Sequence, residues 1–378
     1  PQSRKLLTAP LLPNKIIIAK PITKGGVMIG NIESNLISFL NLKFVLTIKR
    51  AKPKPKKVEE NAVRIPINIV FQTTPQLYAL YKQSIPQMPL LTNLFEKFNI
   101  ELISVDSVMV YRGANIGSAK PTDDVLSNYP HHLVNNKSLN EIYSVAEFCS
   151  DSLQLIQEVH SRNKVPLFVG GSMMYFKSLL RGIDKLPQRD DGYREALMKL
   201  KASEDSHYLY NLLFLKDQDY ARVVKPNDEK RIIRALEVIN TTGEKMSEQI
   251  NSGSNLTLFN KYNIHQIAIY DQDREMLHKR IENRLSIMLN DGLIEEVKGL
   301  VNRYTLKEQH PILSAVNYKQ TINYLEGLID REDLFNKALY ASRQLAKRQI
   351  TWIRSWDDLN IFNINSQREI EKSIRNFI

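Results

Sequence analysis

A carboxylate and a hydroxyl stand side by side where an apolar stretch of the chain ends. Residues 100–105, IELISV, predict a buried strand, and Asp106 and Ser107 follow it directly. In open α/β sheets, ligands bind outside the carboxyl ends of the strands, so these two side chains are candidates for a functional site. Such residues also commonly cap the turn that follows a strand. The stretch alone leaves both interpretations open.

A second apolar stretch ends in a similar way. Residues 165–169, VPLFV, predict another buried strand, and Gly170, Gly171 and Ser172 follow it before a helical pattern begins. Paired glycines let backbone N–H groups approach a ligand closely, and the start of the next helix favours an anion. Tight strand-to-helix turns need glycine for conformational reasons as well, so this turn alone is weak support for a binding site.

Basic residues recur at helical spacing in the second half of the chain. They form three groups: Lys230, Arg231 and Arg234; Arg280 and Arg284; and Arg343, Lys347 and Arg354, with Trp352 and Trp356 interleaved among the last. A basic helix face with aromatic residues suits contacts with phosphates and stacking on bases. The alternative is a solvated helix face whose tryptophans pack inward, and the sequence leaves both open.

The pattern along the chain predicts the scaffold that would position these residues. Between the first two strands, Ser144 and Glu147 form a capping box that opens a helix. Apolar residues then follow at helical spacing, namely Val145, Phe148, Cys149, Leu153, Ile156 and Val159. Residues 264–270, IHQIAIY, predict a third strand. This alternation of strands and helices favours a parallel sheet with crossover helices.

The composition is that of a globular protein with a polyanionic partner. The chain has 378 residues, 43% of them hydrophobic, and a formal net charge of +11, which favours nucleic acid, a membrane surface or a phosphorylated substrate. Cys149 is the single cysteine, which excludes a disulfide framework and fits a reducing compartment. The histidines show no metal-ligand spacing, and no apolar run of about eighteen residues exists, so we expect neither a protein metal site nor a membrane span.

Residues 1–61 differ in character from the rest of the chain. Residues 49–60, KRAKPKPKKVEE, are rich in lysine and proline and cannot form a helix or a central strand. This stretch is either a nucleic-acid-binding arm or a solvated linker. We favour the linker, and we place a domain boundary near residue 62.

Five segments in order resemble a known enzyme family. They are ELISVDSVMVYRGANIGSAKP, YSVAEF, PLFVGGSMMYFKSLL, KPNDEKRIIRALEV and RQLAKRQITWIRSW. Together they resemble the tRNA dimethylallyltransferases, the bacterial tRNA isopentenyltransferases, over roughly residues 91–356. That family moves a dimethylallyl group from its diphosphate to the exocyclic amine (N6) of the adenosine 3′ of the anticodon.

The resemblance implies an α/β fold with a P-loop kinase-like core, a parallel sheet and an inserted, mainly helical domain. It divides the chain into an N-terminal extension of unknown fold with the Lys/Pro linker (1–61), the first part of the core (62–182), the helical insertion (183–263), and the second part of the core with C-terminal tRNA-contacting helices (264–378).

The resemblance also implies roles for individual residues. The catalytic residues would be Asp106, as the acid near the target amine, with Ser172 and Arg284. The residues that bind the diphosphate would be Gly170, Gly171 and Arg284. The residues that contact tRNA would be Asp106, Ser107, Val108, Met109, Arg194, Lys230, Arg231, Arg234, Lys347, Arg348 and Arg354. The partners implied are the anticodon stem-loop of tRNA and dimethylallyl diphosphate, with Mg²⁺ as cofactor, and we expect a cytoplasmic monomer.

One motif of the family is missing. The P-loop, G-x-x-x-x-G-K-[ST], occurs nowhere in this sequence, and its lysine would fall near Gln87, where the chain reads FQTTPQLYALYKQSIPQMPLLTN. No glycine lies between Gly30 and Gly113. Abrupt loss beside intact downstream motifs suggests a frameshift just upstream of Leu90, and the alternative is a replacement by another diphosphate-binding device. In SAVNYKQ (314–320), Ser314 and Asn317 stand where the family has arginine and glycine.

Three functions therefore compete. The first is an active dimethylallyltransferase, and the second is a degenerate relative that binds tRNA without holding the diphosphate. The third, a kinase of small nucleotides, would need the same missing P-loop and would leave the tRNA-contacting segments unexplained. A P-loop motif found in another reading frame of codons 60 to 92 would identify a frameshift.

Overall fold

The computed structural model describes most of the chain from Leu90 onward and two strands before it. The described residues are 42–48, 67–73, 90–182, 186–187, 189–205, 207–251, 258–307, 310–363 and 365–378, with the backbone alone for 42–48, 67–73, 90–93, 251 and 260. Residues 74–89, where a P-loop of the family would fall, and the Lys/Pro stretch lie outside these residues. All described residues belong to one compact unit, Glu33–Ile378.

Within the described residues, seven strands form one sheet. They are β1 (Leu42–Ile48), β2 (Ile67–Thr73), β3 (Ile100–Val105), β4 (His131–His132), β5 (Val165–Gly170), β6 (Ile264–Tyr270) and β7 (Asn360–Phe362). Their order in the sheet is β4-β3-β5-β2-β1-β6-β7, with a further pairing of β2 and β6. Every pair is parallel except those of β1, which runs antiparallel to β2 and β6. The predicted α/β fold is confirmed, and β1 makes its sheet mixed.

Sixteen helices are described. The part of the chain before β6 contains α1 (Leu90–Lys97), α2 (Asp123–Asn128), α3 (Val145–Ser161), α4 (Met173–Arg181), α5 (Asp191–Ser203), α6 (Tyr208–Lys216), α7 (Gln218–Val223), α8 (Glu229–Thr242), α9 (Met246–Asn251) and α10 (Leu258–Lys261). The part after β6 contains α11 (Arg274–Asn290), α12 (Leu293–Arg303), α13 (Pro311–Ser314), α14 (Tyr318–Leu325), α15 (Arg331–Arg354) and α16 (Gln367–Phe377). None of the described helices is long and apolar enough to cross a membrane.

Helix α3 shows how closely the local pattern predicts an element. Ser144 and Glu147 form the predicted capping box at its start. Its core-facing stripe differs from the prediction at one position, because Leu153 is 44% exposed whereas Ser152 is fully buried. The buried stripe runs through residues 148, 152, 156 and 159. These residues are spaced by four or three positions, which places them on one face of the helix, and the small Ser152 occupies one of them.

The carboxyl ends of four strands meet at one edge of the sheet. Val105, the last residue of β3, pairs with Gly170 at the end of β5, and Phe71 of β2 pairs with the same glycine. Thr73 of β2 pairs with Tyr270 at the end of β6. Because all four strands are parallel, the segments that follow them emerge on the same side. The predicted site residues after β3 and β5 are therefore neighbours.

The helices α5 to α9 enclose a buried cluster of their own. Leu197, Leu213 and Leu236 lie in this cluster, and the cluster around the sheet is formed by other residues. A separate apolar core is what a helical insertion at 183–263 requires. The domain boundaries themselves stay a prediction.

The C-terminal helix α16 covers a histidine of β6. The ring of His265 stacks on Phe377, with centroids 4.9 Å apart. Its Nε2 lies 2.8 Å from Ser373 Oγ. Burial lowers the pKa of His265 from 6.5 to about 4. The folded chain therefore holds this ring neutral at a pH at which the unfolded chain protonates it.

Stability should accordingly fall as the pH drops from about 6.5 to about 4, because only the unfolded chain takes up the His265 proton there. We expect a loss of up to about 3 kcal/mol from this group. Urea unfolding of the natural chain and of His265→Gln, each at about pH 7 and about pH 4.5, measures it. The variant should lose less stability on acidification, and an equal loss in both proteins would show that His265 does not contribute.

Candidate functional site at the carboxyl edge of the sheet

The turn after β3 is organised by the carboxylate of Asp106. Its Oδ1 accepts the backbone N–H of Val108 at 2.9 Å and that of Met109 at 3.1 Å. The capping role considered from the sequence is therefore present, and it fixes the position of the carboxylate at the strand end. Val108 and Met109 are 1% and 4% exposed. The turn thus presents its backbone and Ser107, whereas these two side chains belong to the core.

Ser172 joins the two strand ends. Its hydroxyl oxygen accepts the backbone N–H of Ser107 at 3.2 Å, and its own N–H donates to the carbonyl of Val105 at 3.2 Å. Ser172 is fully buried. It therefore couples the turn after β5 to the residue next to Asp106, which gives it a positioning role at the predicted catalytic acid.

Gly170 is required by the packing of the strands. A Cβ at this residue would lie 2.0 Å from the carbonyl oxygen of Val105. The neighbouring Gly171 carbonyl accepts a hydrogen bond from Nε2 of Gln349, a buried residue of α15, at 2.9 Å. The paired glycines thus hold β3 close to β5 and tie the turn to α15. The sequence did not predict the contact of Gln349 with Gly171, because the two residues lie 178 positions apart.

The loop that follows the Asp106 turn is anchored by a second carboxylate. Glu296 of α12 accepts the consecutive backbone N–H groups of three residues, Asn115 at 3.0 Å, Ile116 at 2.6 Å and Gly117 at 3.1 Å. The hydroxyl of Tyr318 donates to the same carboxylate at 2.8 Å. Four donors on one carboxylate hold the loop firmly against α12 and α14.

Asn317 precedes that tyrosine in an unusual conformation. Its φ is +70°, a region that favours glycine. Its Nδ2 donates to the carbonyl of Gly117 at 3.3 Å. The resemblance led us to expect glycine at this position, and the contact with Gly117 gives the asparagine a structural use there.

Two arginines predicted to contact tRNA share one buried glutamate. Arg194 donates to both carboxylate oxygens of Glu237, at 2.7 and 2.8 Å, and Arg234 donates to Glu237 and to the carbonyl of Pro187. Burial raises the pKa of Glu237, but the hydrogen bonds from the arginines outweigh it and lower the pKa to about 2. Both guanidinium groups are thus held in fixed positions by α8. Their contact with tRNA stays a prediction.

The start of α8 carries the other two basic residues of this group. Arg231 lies 3.4 Å from the Asp228 carboxylate, which also caps the helix. Burial, together with the nearby charge of Lys319 on α14, lowers the pKa of Lys230. Two cations from different elements are therefore close enough to repel each other, an arrangement that an anion would stabilise. The sequence pattern did not single out Lys319.

Helix α15 presents part of its basic face to solvent. Lys347 and Arg354 are exposed, whereas Arg348 is half-buried. Trp352 and Trp356 pack against the core instead of projecting from the helix. The inward-packing alternative therefore describes the tryptophans, and the two exposed cations remain available for phosphate contacts.

The remaining predicted residue, Arg284, lies within α11. It is 6% exposed, and its neighbour on the same helix, Arg280, pairs with Asp271 at 2.8 Å. A buried guanidinium is a strong anion ligand. Its contact with the leaving diphosphate stays a prediction.

The described residues do not by themselves form a metal site. No group of three or more His, Cys, Asp or Glu side chains among them could hold a metal ion. Mg²⁺ commonly binds through one or two carboxylates together with substrate phosphates. The described side chains would therefore hold Mg²⁺ only together with the phosphate groups of a bound substrate.

This arrangement belongs to a general class of protein. An acid, a serine and a glycine turn at the carboxyl edge of an α/β sheet, flanked by basic helices, define an α/β protein with a ligand site at its strand ends. The chain belongs to the IPP transferase family, because the family model described as IPP transferase matches residues 109–356. The match begins after the segment in which the P-loop is missing.

The alignments with known relatives span most of the length of each relative. The tRNA dimethylallyltransferase 2 of Hahella chejuensis is 40% identical over 75% of this chain and 88% of its own. The tRNA dimethylallyltransferase of Thiobacillus denitrificans is 42% identical over 71% of this chain and 84% of its own. The predicted family resemblance is confirmed.

Solved structures agree with the fold. The full-length tRNA isopentenylpyrophosphate transferase from Bacillus halodurans is 32% identical, with a TM-score of 0.54 over 76% of this chain and 90% of its own. A eukaryotic dimethylallyltransferase acting on tRNA is 26% identical, with a TM-score of 0.60 over 76% of this chain and 73% of its own.

Proposed function

We infer that this protein is a prenyltransferase that transfers a dimethylallyl group to tRNA. The observation that carries this conclusion is the family match over residues 109–356, joined to relatives named as tRNA dimethylallyltransferases. The finer proposal is that dimethylallyl diphosphate is the donor and that N6 of the adenosine 3′ of the anticodon is the acceptor.

Asp106 is the proposed general base. In the transfer, the bond between carbon and the diphosphate oxygen breaks as the bond between that carbon and the amine nitrogen forms, and the nitrogen loses a proton. An exocyclic amine is a weak nucleophile, so a carboxylate within hydrogen-bond reach assists by accepting that proton. The turn that fixes Asp106 also brings Ser107 beside it, where an extruded base would arrive.

The leaving diphosphate would be stabilised by cations and backbone donors. The proposed groups are the buried guanidinium of Arg284 and the turn at Gly170 and Gly171. Mg²⁺ is the proposed cofactor, and when bound it would neutralise charge on the diphosphate. We propose in addition that the protein acts as a monomer in the cytoplasm.

The anticodon stem-loop would be held by basic residues of two helices. We propose contacts from Lys347, Arg348 and Arg354 on α15. On the helical insertion the proposed contacts are Arg194, Lys230, Arg231 and Arg234. The net charge of +11 supports a polyanionic partner of this size.

Mass spectrometry of anticodon-arm RNA tests the function directly. The RNA is incubated with the protein, dimethylallyl diphosphate and Mg²⁺, and the modified nucleoside is identified after digestion. A gain of one dimethylallyl group at the adenosine 3′ of the anticodon supports the proposal. RNA in which that adenosine is replaced by guanosine is the control, and modification at another nucleotide would contradict the proposed acceptor.

A degenerate relative that binds tRNA without efficient transfer is the second candidate. The observation that favours it is the absence of a P-loop motif from the whole sequence. It predicts salt-dependent tRNA binding together with little or no mass gain. The active enzyme predicts both.

Replacing Lys347, Arg348 and Arg354 together by alanine should weaken tRNA binding and flatten its salt dependence. Each lost phosphate contact lowers the log–log salt slope by roughly one unit or somewhat less. Exposed Lys347 and Arg354 should account for most of the change, and half-buried Arg348 for less.

Titration of labelled tRNA at several salt concentrations measures the slope. Arg331→Ala is the matched control, since this exposed cation lies at the other end of α15. The control should keep the slope of the natural chain. Weaker binding with an unaltered slope in the triple variant would mean that the helix acts through packing.

A further inference from the structure

We propose that Lys120 is a positioning residue for tRNA binding, whose buried ammonium holds the Asp106–Met109 turn in the conformation that receives the target base. The proposal rests on the proposed function of that turn. Nothing in the sequence resemblance assigned a role to this lysine.

Lys120 is 2% exposed, and its Nζ contacts three oxygen atoms. These are the carbonyl of Tyr111 at 2.6 Å, Oδ1 of Asn115 at 3.0 Å and Oδ1 of Asn135 at 2.7 Å. An ammonium group has three N–H donors, so these contacts use all of them. All three acceptors are neutral, so the lysine does not serve as one half of an ion pair with them.

The acceptors tie the catalytic turn to a distant segment. Tyr111 follows Met109 by two residues, and the backbone N–H of Asn135 donates to the carbonyl of Met109 at 3.1 Å. The N–H of Lys137 donates to the carbonyl of Val110 at 2.9 Å. Lys120 thus closes a ring of contacts that starts at Met109, passes through Asn135 and returns at Tyr111.

Burying the charged form of Lys120 costs free energy, and filling space in the core would not require a charged side chain. Burial lowers the pKa of Lys120 to about 8, although the carboxylates of Glu296, Asp106 and Asp123 oppose the shift. An apolar side chain would fill the same volume but would leave three buried oxygens without a donor. The ammonium therefore fixes the relative positions of three backbone segments.

The burial of Lys120 also excludes a direct contact with a tRNA phosphate. Any effect of this residue on tRNA binding must pass through the turn that it holds. Removal of a phosphate contact lowers the salt slope of binding, whereas misplacement of the turn lowers affinity equally at every salt concentration. The salt slope therefore separates a positioning role from a contact role.

Lys120→Met tests the proposal, because methionine keeps the length of the side chain and removes its donors. We expect tRNA to bind about tenfold more weakly at each salt concentration between about 50 and 200 mM, with an unchanged slope. Lys347→Ala is the matched comparison and should lower the slope. The melting temperature of each variant shows that the folded protein is being measured.

Two variants of the acceptor Asn135 decide the matter if Lys120→Met fails to fold. Asn135 has φ +55°, which glycine adopts without strain, so Asn135→Gly removes one acceptor and leaves the backbone in place. We expect about threefold weaker tRNA binding. Asn135→Asp keeps an acceptor oxygen for the ammonium and should restore affinity to that of the natural chain.

Two results measured on the variants would overturn this inference alone. The first is a Lys120→Met variant that folds with lower stability and still binds tRNA as tightly as the natural chain does. That result, or the same affinity in Asn135→Gly, would mean that the ammonium only stabilises the fold. A lower salt slope in Lys120→Met would mean that the lysine contacts a phosphate. Failure of the natural chain to bind tRNA would overturn the proposed function and this inference with it.

Discussion

Asp106→Asn is expected to lower the rate of dimethylallyl transfer by about a hundredfold to ten-thousandfold while leaving tRNA affinity close to that of the natural chain. The loss follows from the removal of a general base at the strand end. The measurement is single-turnover transfer at saturating tRNA and dimethylallyl diphosphate, made in whichever chain transfers: the natural one or one with residues 72–89 replaced by a family-type P-loop.

The structure makes asparagine the informative replacement. Oδ1 of Asp106 accepts the N–H groups of Val108 and Met109, and an asparagine oxygen can accept the same two bonds. Asp106→Asn therefore removes the charge and the basicity without removing the cap of the turn. Asp106→Ala removes both, and a larger loss of tRNA affinity in that variant would report the turn itself.

Asp123→Asn is the matched control. Asp123 is an exposed acid in the first turn of α2, and the same chemical change there should leave the transfer rate unaltered. A transfer rate of Asp106→Asn within about threefold of the parent chain would rule out Asp106 as the base, since base removal has a far larger effect.

The elements that hold this site follow from local patterns in the sequence. Strand β3 has the predicted bounds, β6 has the predicted bounds, and β5 is longer by one residue. Each strand is a short apolar run that ends at a polar or glycine residue, and that signal lies within about ten residues of chain. The edge at which the strands end followed from the parallel pairing.

The contacts that complete the site could not be predicted in the same way. Glu296 lies about 180 residues from the loop it anchors, and Gln349 lies 178 residues from Gly171. No periodicity or spacing connects residues so far apart, because tertiary packing alone brings them together. The pairing of Arg194 with Glu237 is of the same kind, since the two residues lie on different helices.

Side-chain type alone predicted the helix faces less completely than the strands. Leu153 continues the apolar pattern of α3 but is exposed, because Ser152 lies on the line that faces the core. The sequence left open whether Trp352 and Trp356, which alternate with basic residues on α15, pack inward, and the structure shows that they do. A helix face is set by the surface against which it packs, and side-chain type alone does not identify that surface.

Strand β2 occupies the place in the sheet from which a P-loop would start. In a P-loop protein, the loop follows a strand of the sheet and wraps backbone N–H groups around phosphate oxygens. Here β2 lies parallel to β5 and β6 and ends at Thr73, at the same edge as Asp106 and Gly170. A strand is thus in place to deliver such a loop, but the residues that follow it lack the required sequence.

Under the second candidate function, the degenerate relative, we therefore expect the natural chain to bind dimethylallyl diphosphate weakly and to transfer slowly or not at all. Pro86 and Pro89 have no N–H to donate, and no glycine is available for the tight backbone path. Replacing residues 72–89 by a family-type P-loop should restore its backbone donors and its lysine. We expect about hundredfold tighter binding, the equivalent of about 3 kcal/mol from charge-assisted hydrogen bonds.

Titration of both purified proteins with dimethylallyl diphosphate in Mg²⁺ measures the difference. A repaired chain whose P-loop lysine is replaced by alanine is the matched control, and it should recover only part of the affinity, because its backbone donors remain while the cation is lost. Restored binding and transfer in the repaired chain alone would place the defect in residues 72–89. Equal affinity in the natural and repaired chains would instead mean that another part of the protein holds the diphosphate, for which Arg284 and the turn at Gly170 and Gly171 are the first groups to replace.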